Sequence, residues 1–204
     1  MRFPHRWPQR MRITPLVALV LLPTLMVGAA RASDAPLHDG LDLAIKTFGE
    51  LREKTSNLFD TPAERTEAAR ALQKLSARLD SLANAKQAFT DRVTNATWPR
   101  DRNKVGAAAG TLKEEVRKTR FALTDFFVPM SADWQTRGGD IQTRLELNLR
   151  ERWQNPDDIA RDLRLDGASS EQLRAESEQL ISQIHQLKDI ADALANDLSK
   201  TTAQ

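Results

Sequence analysis

The chain has no cysteine, no tyrosine, and only four tryptophans and seven phenylalanines among 204 residues. Without cysteine it has no thiol nucleophile, no ligand for an iron–sulfur cluster and no attachment point for a c-type haem. It has no disulfide either, so its fold rests on packing alone. Familiar catalytic patterns are also missing. No serine sits in G-x-S-x-G, and neither H-E-x-x-H nor a glycine-rich phosphate loop occurs. Beyond residue 32 the only histidines are His38 and His185. A di-iron bundle wants glutamate three residues before each histidine, and Ala35 and Ser182 stand there instead. Met130 is the one methionine left there to ligate a haem, and it falls in a turn. The sequence therefore predicts no catalytic residue, no metal ligand and no cofactor.

Long apolar runs are scarce too, and the single one is at the start. Arg2, Arg6, Arg10 and Arg12 precede an apolar stretch, Ile13 to Val27, that contains Pro15 and Pro23. That stretch is too short for a membrane span, which needs about twenty residues. Ala30 and Ala32 then form an A-x-A site before Ser33. This is the pattern of a cleaved secretory signal peptide, residues 1–32, followed by one domain, residues 33–204. A eukaryotic secreted domain of this size usually carries disulfides, so cysteine-free export points to a bacterial periplasm.

The segment 1–32 holds five arginines and no acidic residue, out of 30 basic and 28 acidic in the whole chain. The segment 33–204 thus carries 25 basic against 28 acidic, a net charge of −3. The basic character belongs to the leading segment, so it gives no support to nucleic-acid binding.

What is abundant is Ala, Leu, Glu, Arg, Gln and Lys, with apolar residues spaced three and four apart. The spacing predicts a first helix over Leu37–Phe59. Thr61, Pro62 and Glu64 spell a capping box with proline at N1. A second helix follows to Ala96, with a seam from Ala68 through Leu72, Leu75, Leu79, Leu82, Lys86 and Phe89. "TWPRD" stops it, because a residue before proline avoids the helical region. A third helix spans Arg100–Phe127, with Val105, Ala109, Leu112, Val116, Thr119, Leu123 and Phe126 as its seam. A fourth runs from Ser131 to Gln154, with Gly138–Gly139 as a point of bending or breakage. A short helix starts at Asn155, and a last long one follows Ser169. The fold class is all-α, an elongated up-down antiparallel bundle of about five long helices and one short one, with no sheet. Lys86 and Ser177 interrupt the seams with polar groups, a device that fixes register. A monomer or weak homodimer is expected.

Two places stand out as contact sites. "FFVPM" offers Phe127, Val128, Pro129 and Met130 at the end of the third helix, either as a plug for the open end of the bundle or as an exposed patch for a partner. Phe126 lies on the seam and reads as core. Phe127 lies one step off it and reads as exposed contact. "VGAAAGTLKEEV" places Gly106 and Gly110 within a helix, where each glycine costs roughly 0.5–1 kcal/mol against alanine. Charged flanks exclude a membrane G-x-x-x-G. The spacing suggests a thin neck that makes room for Trp98 or Trp153, or a groove for a partner. The expected function is non-enzymatic protein binding in the cell envelope, as an adaptor, chaperone or inhibitor of an envelope process. A small-ligand or cofactor-binding bundle is the alternative, and no transmembrane segment is expected after cleavage. N-terminal sequencing of the processed protein should begin at Ser33; recovery of Met1 in a membrane fraction would instead mean an anchored chain.

Overall fold

The computed structural model describes residues 35–54, 58–151 and 170–201, and every regular element among them is an α-helix. They are α1 (Ala35–Glu53), α2 (Pro62–Thr94), α3 (Arg102–Phe127), α4 (Ala132–Glu151) and α5 (Ser170–Thr201). The segment expected to direct export, Trp153 and the short helix expected from Asn155 lie outside the described residues.

Local chemistry fixes the start of one helix closely. At the start of α2, the Thr61 hydroxyl accepts from the Glu64 N–H at 3.2 Å. Glu64 Oε2 accepts in return from the N–H groups of Thr61 and Asp60, at 3.0 and 3.1 Å. This closes the capping box and satisfies donors that a helix start leaves open. Those same backbone donors hold the Glu64 carboxyl below its ordinary range. α1 ends at Glu53, short of the expected Phe59. Phe59 instead anchors the connection to α2, only 6% exposed, with its carbonyl accepting from Arg65 Nε at 3.2 Å. His38 lies inside α1, as the helix expected from Leu37 requires.

The seams predicted for α2 and α3 are buried from Ala68 to Phe89 and from Val105 to Phe126. They join one apolar core with Leu41, Phe48 and Leu51 of α1, Ile141 and Leu145 of α4, and Leu180, Ile184, Leu187 and Leu194 of α5. Polar seam residues, Lys86 and Ser177 among them, are buried with the apolar ones. Ser177 accepts a hydrogen bond from the Thr90 hydroxyl at 2.8 Å. Lys86 sits with its ammonium 6.0 Å from the Phe89 ring centre.

Principal contacts link the helices in the cyclic order α1–α4–α3–α2–α5 and back to α1. One consequence departs from expectation. Short loops predict that sequential helices pack together, yet α1 packs against α4 and α5 rather than chiefly against α2.

The α3–α4 contact turns on one glycine. A Cβ built on Gly138 falls 2.6 Å from Cγ of Phe127. Only a bare Cα lets the ring lie there. Phe127 in turn meets Phe48 edge-on at 5.6 Å and Phe126 at 5.1 Å, while Phe48 and Phe126 stack at 5.3 Å. α4 continues unbroken through Gly138 and Gly139, so the helix does not break there. A smaller version recurs at Gly40, where a Cβ meets Leu145 Cδ2 at 2.9 Å. Gly138→Ala should therefore destabilise the protein by about 1–3 kcal/mol through overpacking. At Gly139 a Cβ meets nothing within 4 Å. Gly139→Ala should stabilise the protein by roughly 0.5–1 kcal/mol through helix propensity. Urea denaturation of the two variants reads both signs, and equal effects would contradict the packing described.

Candidate functional site

The α3–α4 turn is built from a helix end that divides its apolar residues. Val128 N–H still bonds the Thr124 carbonyl at 3.0 Å, and Met130 N–H bonds Phe127 O at 3.0 Å. The side chain of Gln135, one turn into α4, closes the loop from the other side. Its Nε2 donates to the carbonyls of Val128 and Met130, at 2.9 and 2.8 Å. Carbonyls that a helix end leaves unpaired are thus satisfied, and the turn is fixed at both ends. Nearby, Arg137 pairs with Glu50 and stacks on Trp134 with its guanidinium 4.8 Å from the ring centre. Arg137 holds the Glu50 carboxyl below its usual range.

The four turn residues named from sequence then separate. Phe127 is 2% exposed and Met130 is buried beside it. The expectation that Phe127 forms an exposed contact is corrected: Gly138 gives its ring a seat in the core. Val128 and Pro129 point outward, Val128 at 62% exposure. They rim an open groove of about 1220 Å³. Phe59, Ala63 and Ala71 line its α2 side, and Phe126, Val128 and Pro129 line the other. The Lys74–Asp125 ion pair, at 2.5 Å, lies along one edge.

Trp98, Gly106 and Gly110 are not part of this cluster. Gly110 lies in the first half of α3 and Phe127 at its end. Trp98 is half-buried against the core, and Gly106 is half-exposed. A Cβ at Gly110 meets nothing within 4 Å. The expected neck around a tryptophan is therefore corrected at Gly110, which faces open space. Gln135 was missed because a glutamine in the first turn of a helix has no distinctive spacing signal.

At the Trp98 end, Asp101 organises the connection between α2 and α3, which contains a cis Trp98–Pro99 bond. Its carboxylate accepts from the Thr97 N–H at 3.0 Å and pairs with Lys104 at 3.1 Å and Arg100 at 3.5 Å. The Thr97 backbone donor, followed by Lys104, lowers its pKa from 3.8 to about 2. The carboxylate reaches back across the turn and makes no cap bond to α3.

Among the described residues, no three His, Cys, Asp or Glu side chains are grouped to hold a metal ion. No helix among them is long and apolar enough to cross a membrane. The chain matches no protein-family model, no curated protein and no solved structure.

A folded pKa below the unfolded value makes stability rise with pH between the two. The contribution of Asp101 should be complete above pH 3.8 and fade as pH falls towards 2. Melting curves from pH 7 to 2 should show Asp101→Asn less stable than wild type at neutral pH, with the gap closing only in that acid range. A gap that stays constant down to pH 2 would contradict this role.

Proposed function

We propose that the protein is exported through its N-terminal segment and works in a bacterial periplasm as a non-enzymatic helical bundle. It acts through protein contacts made at the α3–α4 turn. The observation that carries the reading is the 62% exposure of Val128 on a turn whose backbone is held at both ends. An apolar side chain fixed beside a groove offers a contact with little left to order on binding.

An up-down antiparallel arrangement is supported by the order of residue pairs. Along α2 and α5 the partners run in reverse: Thr94 with Arg174, Thr90 with Ser177, Asp80 with Lys188. The α3–α4 pairs are reversed too, Arg120 with Glu146 and Phe127 with Gly138. So are the α1–α4 pairs, Gly40 with Leu145 and Glu50 with Arg137. α1 and α5 pair in the same sense, His38 with Gln183 and Arg52 with Asp197. Odd helices point one way and even ones the other. α2 has 33 residues. At the rise of an α-helix it is about 50 Å long, which makes the bundle elongated.

Affinity capture from periplasmic extract, read by mass spectrometry, tests the contact. Val128→Asp should abolish recovery of the partner and leave the melting temperature near wild type. Phe127→Ser should instead cost about 3–5 kcal/mol of stability, as removal of a buried ring does. Equal capture by wild type and Val128→Asp would reject the turn as the contact.

A further inference from the structure

The outward face of α3 carries a second seven-residue repeat, separate from the buried seam. Ala107, Glu114 and Phe121 recur at one position, and Gly110, Arg117 and Thr124 at the other. These are the a and d positions of a heptad. None of the six is buried, and Phe121 is 57% exposed. Gly110 opens onto free space. Arg117 binds Glu114 through both carboxylate oxygens, at 2.7 and 2.9 Å, and lies 5.6 Å over the Phe121 ring. Phe121 and Val128 are the exposed large apolar residues of the described chain.

We propose that this face docks a second copy of the same chain, α3 against α3 in antiparallel register. Antiparallel coiled coils layer each a residue against a d residue of the partner. One register then puts Phe121 on the partner's Gly110, Glu114 on the partner's Arg117 and Ala107 on the partner's Thr124. A two-fold axis generates each layer twice, as an isologous contact requires. The face is complementary to itself in shape and charge. Phe121 over a bare glycine repeats, between chains, what Phe127 does on Gly138 within one chain, also between helices whose pairs run in reverse.

Three of the flanking charges are already paired within the chain. Lys118 pairs with Glu115 at 2.7 Å, Arg120 with Glu146 at 2.9 Å, and Asp125 with Lys74 at 2.5 Å, so these charges are balanced within the chain. The Arg117–Glu114 pair is exposed, and such pairs contribute little. Exchanging it for the partner's groups therefore costs little. The contact covers about 26 Å of one helix, well below a standard interface, so the dimer is weak and reversible. Val128 lies one heptad beyond Phe121, opposite Asn103 of the second copy, at the rim of the contact.

Sedimentation velocity of the full chain, from ten to several hundred micromolar, tests the register. Wild type should pass reversibly from monomer to dimer. Glu114→Arg or Arg117→Glu alone places like charges in two layers and should weaken the dimer about tenfold or more. An equimolar mixture of those two variants should restore it, because every layer then pairs opposite charges. Gly110→Leu should block the seat of Phe121 and abolish the dimer without lowering the melting temperature, so misfolding does not explain the loss. The proposal is overturned by a wild type that stays monomeric throughout, by single charge variants that dimerise as wild type does, or by a mixture that fails to associate.

Discussion

The ring of Phe127 lying on the bare Cα of Gly138 is the contact on which the other arrangements depend. No side chain at 138 is compatible with it. The ring fixes where α3 and α4 meet, and the Arg120–Glu146 pair then falls into place further along the same two helices. It also gives Phe48 of α1 a pair of rings to pack against. Such aromatic pairs contribute on the order of 1 kcal/mol each beyond burial. α1 reaches α4 again through Gly40 and Leu145. A chain without cysteine has no covalent staple to set these distances. Steric fit between large rings and missing side chains does that work here.

The α2–α5 contact uses a different device. Its seams are long and mostly leucine, and a uniform leucine seam slides easily from one register to another. The hydrogen bond between Thr90 and Ser177 is buried. Any shift of register leaves two buried hydroxyls without partners, at about 1–3 kcal/mol each. The surface ion pairs, such as Arg52–Asp197 with both side chains well exposed, add little to this choice.

Periodicity makes much of this legible. It marks the apolar stripe of each helix, and the Thr61 box and the α2 and α3 seams stand where the pattern puts them. Periodicity does not say which helix a stripe will meet, so it leaves α1 beside α2, where the contacts put α4 and α5. It also treats a residue one step off the seam as outward, and Phe127 defeats that rule. α3 is flanked closely by α4 at its C-terminal end, so its buried arc widens there and takes in Ala122 and Phe127. Phe127 is the last residue of α3 and Gly138 lies nearly two turns into α4, so their unequal distances from the turn hide the pair in the sequence. The volume argument belongs to Gly138, where a ring fills the space, and not to Gly110, where nothing does.

Burying Phe127 also changes how the turn works as a surface. Had the ring been exposed, the turn would be a flexible apolar tip with much to lose on binding. Instead Phe126, Phe127 and Met130 face inward and Gln135 ties two carbonyls, so the backbone beneath Val128 has little freedom left. Affinity from a small apolar contact depends on how little must be ordered when it forms. The same aromatic cluster that sets the packing of α1, α3 and α4 therefore also sets the rigidity of the site. A change that loosens the Phe127 seat would act on the proposed contact through the turn as well as on stability through the core. Val128 is where the two separate, since its side chain belongs to the surface and its carbonyl to the scaffold.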